Sequence, residues 1–257
     1  MPIKYVRSLT GNKRTAKANN QLGIALIFVA GATNAGGFLA VKQYTSHMTG
    51  IVSAMADNLA LVKFDLVFVG VGGLLSFVAG ATSTAVMVNY ARRRHMHCKY
   101  ALPLLLEALL LICFGILGAR LSVVDTLFVP VTVVLLCFIM GLQNAVITKL
   151  SNAEIRTTHI TGIVTDIGIE LGKLFYCNSG KFPEQPRIVA NRARLKLFTL
   201  MVFFFFVGGV VGAFGFKYIG YLSTVPLAVL LIVMAIVPAI DDVVTFVRRL
   251  KRTNPIQ

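Results

Sequence analysis

The chain says nearly the same thing twice. Thr45-Ser46-His47-Met48-Thr49-Gly50-Ile51-Val52-Ser53 is echoed by Thr157-Thr158-His159-Ile160-Thr161-Gly162-Ile163-Val164-Thr165, with six of nine positions identical and three exchanged for similar residues. Each copy pairs an imidazole with a Thr-Gly step at the head of a short apolar stretch. A helix that starts there leaves about four N–H groups unpaired and presents the positive end of its dipole. A Ser or Thr hydroxyl can cap one such donor, whereas a bound anion can satisfy several. Glycine allows a ligand to approach the backbone closely. Two such motifs meeting near a membrane midplane make a site for a small anionic solute. The rival reading is a duplicated capping and packing device with no ligand. The helix start falls at Ser46 or at Thr49; the residues alone do not separate the two.

Other polar groups sit in apolar surroundings. Gly31-Ala32-Thr33-Asn34-Ala35 resembles Gly141-Leu142-Gln143-Asn144-Ala145, so Asn34 and Asn144 occupy matching places. A mid-membrane amide requires a hydrogen-bond partner, so these two either line the cavity or hold the neighbouring short segment. Glu107 stands alone in Leu104-Leu105-Leu106-Glu107-Ala108-Leu109-Leu110. An unpaired carboxylate in hydrocarbon is better accommodated as the neutral acid, which makes Glu107 a candidate for proton coupling, with a purely structural neutral carboxyl as the alternative. Asp57, Asp166 and Glu170 follow the motifs; they could bind a cation, but an aqueous setting or pairing with Lys or Arg is the simpler expectation. His95, His97 and Cys98 are too few and too close for a closed zinc site, and three arginines precede them. The sequence offers no nucleophile–base pattern, no phosphate-binding glycine loop and no metal or cofactor motif, so the expectation is a non-enzyme without cofactor.

These residues are carried by a chain that is 56% hydrophobic and 14% charged over 257 residues. Its mean hydropathy is +0.79. A soluble domain of this size cannot hide so much apolar surface, which makes the lipid bilayer its solvent. The net charge of +15 does not point to nucleic acid, because the basic residues cluster in short stretches between apolar runs. Four scattered cysteines argue against a disulfide framework. The first 21 residues are polar and basic and precede an apolar run without a convincing cleavage site, which predicts an uncleaved first span.

Six segments reach spanning length: 22–41, 64–90, 101–119, 122–148, 197–216 and 222–247. Two shorter ones, 47–62 and 159–172, begin with the repeated motif. If all eight crossed, the Arg92-Arg93-Arg94 loop would oppose the basic N-terminus. If the two short segments dip in and return, 21 of the 25 Lys and Arg share one face, leaving Lys42, Lys63, Arg120 and Lys217 opposite. The positive-inside rule selects the second arrangement and makes the basic face, with both termini, cytoplasmic. The predicted fold is all-α and polytopic: a basic tail (1–21), a first repeat (22–119), a second repeat (120–247) entering the membrane in the opposite direction, and a basic tail (248–257). Gly72, Ser76 and Gly80 in one half and Gly208 and Gly212 in the other have helix-packing spacing.

The run Gly31-x-x-Asn34-Ala35-Gly36-Gly37-Phe38 followed by Ser46-His47-Met48-Thr49-Gly50 resembles the YoaK-type family of bacterial six-span membrane proteins, a domain of unknown function. The resemblance extends over essentially the whole chain. Family members usually carry Asn where Ile51 stands and Asp where Asn34 stands. It implies a multi-pass protein of the bacterial inner membrane, but no particular activity. The expectation from the residues is a transporter or channel for a small, anionic solute, with His47, Thr49, Gly50, His159, Thr161 and Gly162 at the site, Asn34 and Asn144 beside it, and Glu107 handling a proton. Self-association into a homo-oligomer is compatible with it. The alternative is a non-transporting scaffold, sensor or accessory subunit.

Overall fold

The structure is a computed structural model and describes residues 16–94, 96, 99–121, 125–150, 160–178 and 187–253. Every element within them is helical: α1 (Ala16–Val41), α2 (Met48–Ala60), α3 (Phe64–Arg93), α4 (Ala101–Leu121), α5 (Asp125–Leu150), α6 (Ile160–Phe175), α7 (Arg192–Tyr218), a 3-10 turn (Gly220–Ser223) and α8 (Thr224–Thr253). Five of them, α1, α3, α4, α5 and α7, are long and apolar enough to cross a membrane. In α8 the 30-residue helix carries its described apolar stretch over Gly220–Ile236, counting the preceding turn. At 13 and 16 residues, α2 and α6 reach only about 20 and 24 Å, short of a 30 Å hydrocarbon core. The protein is a multi-pass helical membrane protein.

Some helices run past the apolar segments. The start of α7 is set at Arg192 by a cap, where Asn191 Oδ1 accepts the Arg194 N–H at 3.0 Å, five residues ahead of the expected span. Hydrophobicity marks where hydrocarbon begins, whereas capping marks where a helix begins.

Helices α1 and α5 are the most enclosed, while α3 and α7 turn large faces outward, including Phe68, Leu75, Phe203 and Phe206. Outward apolar side chains here are solvated by lipid. The main core joins Leu22, Leu26 and Val29 of α1 to Leu104 and Leu111 of α4, Ile139, Leu142 and Val146 of α5, Met201 of α7 and Leu231 of α8.

Packing is reciprocal between the halves. A side chain on Gly31 would overlap the Phe205 carbonyl oxygen, and one on Gly208 would overlap that of Phe28. In the same way Gly141 faces the Phe77 carbonyl and Gly80 that of Phe138. In all four cases the glycine meets the carbonyl three residues ahead of its partner glycine. One turn on, Gly212 lies on the Ala32 carbonyl, and Thr84 Oγ1 donates to the Leu142 carbonyl at 2.9 Å. The first long helix of each half thus crosses the third element of the other half, backbone against backbone. The small-residue spacing of Gly80, Gly208 and Gly212 serves these crossings. Ser76 joins them differently, donating to the Val134 carbonyl at 2.6 Å.

These contacts also fix directions. Phe28, Ala32 and Gly36 of α1 meet Gly208, Gly212 and Phe216 of α7 in ascending order, so α1 and α7 are parallel. The meetings of Gly73 with Val133, Gly80 with Phe138 and Thr84 with Leu142 make α3 parallel to α5. Gln143 Nε2 donates to the Leu26 carbonyl at 3.1 Å, while Leu136 packs on Gly37, so α5 runs opposite to α1.

Candidate functional site

The head of α2 is held deep in the bundle by a side-chain bond. Ser46 Oγ donates to Asn34 Oδ1 at 2.7 Å, seven residues before α1 ends at Val41. The loop after Val41 therefore doubles back by about 10 Å along α1 before α2 begins. Of the two roles open to Asn34, it takes that of support: it positions the motif. Lys42 starts the reversal in a left-handed conformation (φ +56), its N–H donating to the Phe38 carbonyl at 2.7 Å. Tyr44 then stacks on Phe38 with ring centroids 4.5 Å apart.

The helix opens at Met48, one residue before Thr49, with His47 in the cap position. No side chain caps it, which corrects the expectation of a hydroxyl cap: Ser46 lies one residue before the cap position and donates to Asn34, and Thr49 is exposed in the first turn. The His47 ring folds over the opening turn, and a Cβ on Gly50 would lie 2.6 Å from its Nδ1. Glycine is the residue that lets the imidazole lie there.

Between the end of α1, the outer length of α2 and the start of α3 lies a partly open cavity of about 430 Å³. Lys42, Gln43, Tyr44, His47 and Asn58 contribute polar lining, and Phe38, Ile51, Met55, Leu66 and Val69 apolar lining. This is within the ordinary size range for small-molecule pockets. Lys42 pairs with no carboxylate among the described residues. Lys42, His47 and Gly50 of the uncapped first turn thus border one space.

The predicted site residues are not all gathered there. His47 and Gly50 line the cavity; Thr49, Asn34 and Glu107 do not. His159 lies outside the described residues, as do His95, His97 and Cys98. Thr161 and Gly162 are exposed in the first turn of α6, and neither borders the cavity. The reason is attachment: α2 packs on α3, whereas α6 packs on α7. Asn144 donates to the Met140 carbonyl at 3.0 Å in its own helix. The α1–α5 contacts set Leu26 beside Gln143 and Gly37 beside Leu136, so Asn34 and Asn144 lie at different levels of this antiparallel pair. Lys42, Gln43 and Asn58 border the cavity without having been singled out from the sequence, since none belongs to the repeated motif.

The acidic residues after the second motif serve attachment. Glu170 is buried, accepts from Lys173 Nζ at 2.8 Å and accepts the Asn191 N–H at 2.7 Å. The hydrogen bond from Lys173 first, and that from Asn191 next, hold its carboxyl below the usual range. Asp166 lies 3.5 Å from Arg194. These contacts tie α6 to the capped start of α7. Glu107 is fully buried, and neither carboxyl oxygen has a partner among the described residues. Gln143 Oε1 is likewise buried and unpartnered among them.

Among curated proteins, the chain is 27% identical over 165 residues to the UPF0700 transmembrane protein YoaK of Bacillus subtilis (strain 168), covering 63% of this chain and 71% of that protein. No solved structure matches. Residues 22–237 match the family described as "Protein of unknown function (DUF1275)", which takes in the motif, the reciprocal crossings and the start of α8. By that match over most of its length, the chain belongs to the DUF1275 family.

Proposed function

We propose that this protein is a secondary transporter or channel for a small anionic solute, built as an inverted repeat of six spans with two half-helices. In this reading the basic face and both termini are cytoplasmic, in the bacterial inner membrane. Helix direction supports the topology. Since α3 runs opposite to α1, α2 returns the chain to the side it left; since α7 runs opposite to α5, α6 does the same. The first motif then dips from the outer face and the second from the inner face, as in carriers whose halves are related by an in-plane axis.

One observation carries the functional reading: the cavity of about 430 Å³ in which Lys42, His47 and the uncapped start of α2 face the same space. Unsatisfied helix N–H groups inside a bilayer require a partner, and an anion supplies one. The two motifs act in turn, one on each side of the glycine crossing, and Glu107 holds the coupled proton. Purified protein in liposomes is expected to pass small anions, assayed with a panel of labelled carboxylates and inorganic anions. His47→Ala or His159→Ala lowers that flux at least tenfold while helical content and monodispersity persist. Undiminished flux in both variants removes the histidines from the mechanism.

A further inference from the structure

We propose that Lys42 is the charge-pairing residue of the outer cavity, and that its ligand is an organic monocarboxylate with an apolar body. This rests on the reading of that cavity as a solute site and names what the site takes.

Three observations converge on Lys42. Its backbone is left-handed at φ +56, directly after the last residue of α1, where glycine is the favoured residue. A lysine there works against its backbone preference, as Val62 does just past the far end of α2 (φ +58). Next, no described carboxylate pairs with its ammonium, although it borders the cavity. Finally, His47 and Gly50 of the uncapped first turn of α2 border the same space, so an imidazole and a helix start lie beside the lysine.

The remaining lining sets the ligand class. Phe38, Met55, Leu66 and Val69 line the same cavity with apolar surface. An inorganic anion would leave this surface unused and would face apolar groups while itself strongly hydrated. A carboxylate on a short hydrocarbon chain suits both kinds of lining, with its head on Lys42 and its chain against the apolar residues of α2 and α3. Each methylene placed against that apolar lining is expected to tighten binding about three- to fourfold.

The test uses the full chain in lipid nanodiscs, with calorimetry and thermal shift as readouts. The probes are acetate, hexanoate, hexanamide, chloride and sulfate. Hexanoate is expected to bind at least tenfold more tightly than acetate, chloride, sulfate or hexanamide. Lys42→Gly is expected to weaken hexanoate at least tenfold, to leave hexanamide unchanged, and to melt at or above the parent, because glycine suits the left-handed position. Lys42→Gln removes the charge while keeping the side-chain stem, and is expected to lose hexanoate to the same extent. Equal binding of chloride or sulfate, or of hexanamide, overturns the ligand class. Unchanged hexanoate affinity in both Lys42 variants overturns the role of Lys42. If no carboxylate binds but liposomes still pass another anion through a His47-dependent route, this inference fails and the carrier reading stands; if flux is absent as well, both fail.

Discussion

Gly141→Ala destabilises the protein by about 3 kcal/mol, and Gly31→Ala by a similar amount, because each added methyl is driven into a backbone carbonyl. The neighbour in each case is the Phe77 or Phe205 oxygen, part of a helix that cannot step aside like a side-chain end. Relief requires α5 to move off α3, or α7 off α1. In lipid these pairs are held by close van der Waals contact, since the surrounding solvent is as apolar as the side chains. Gly72→Ala is the control of opposite sign. A Cβ there meets only Val134 Cγ2 at 3.9 Å, an ordinary contact. Alanine at that position gains about 0.5–1 kcal/mol of helix propensity. Thermal unfolding of the three variants in one detergent is expected to give two large drops and no drop for Gly72→Ala. Equal, small effects at all three would mean the helices do not cross at these glycines.

Glu107→Gln is expected to abolish accumulation driven by a proton gradient, by tenfold or more, while solute exchange at equal pH continues. The carboxyl is fully buried and has no donor among the described residues, so a negative charge there is uncompensated. Glutamine reproduces the size and neutrality of the acid and cannot release a proton. A carrier whose coupling resides at Glu107 therefore keeps its solute path and loses its driving force. Proteoliposomes loaded at one pH and diluted into another separate the two activities. Unchanged gradient-driven uptake by a folded Glu107→Gln variant would assign Glu107 to packing alone.

The membrane class, the apolar helices and the duplication were legible in the residues because each has a local signature. Spanning helices declare themselves by length and hydropathy, and the motif copies by identity. Even the burial pattern repeats: 31–38 and 141–148 follow the same order of buried and half-buried positions. What the sequence did not reveal was pairing. Spacing identifies Gly80 or Gly208 as a close-approach residue, but the partner is set by which carbonyl faces it across the bundle, and that is a long-range fact. The cap of α2 was misread for a related reason. Ser46 has the chemistry of a cap, yet His47 takes the cap position, and the Ser46 hydroxyl donates to Asn34, twelve positions away. Lys42 was invisible as a site residue because its significance lies in its left-handed backbone and in the side of the cavity it occupies.

For the cavity to lie on the side opposite the basic loops, α2 must enter the membrane and leave by the same face. Single cysteines at Lys63 and Arg93, introduced after the four native cysteines are replaced, test this directly with a membrane-impermeant maleimide on intact cells and on inverted vesicles. The expected result is labelling of Lys63→Cys from outside only and of Arg93→Cys from inside only. Labelling of Lys63→Cys from inside and Arg93→Cys from outside would make α2 a crossing segment and would contradict the half-helix, its cavity and the transport proposal built on them.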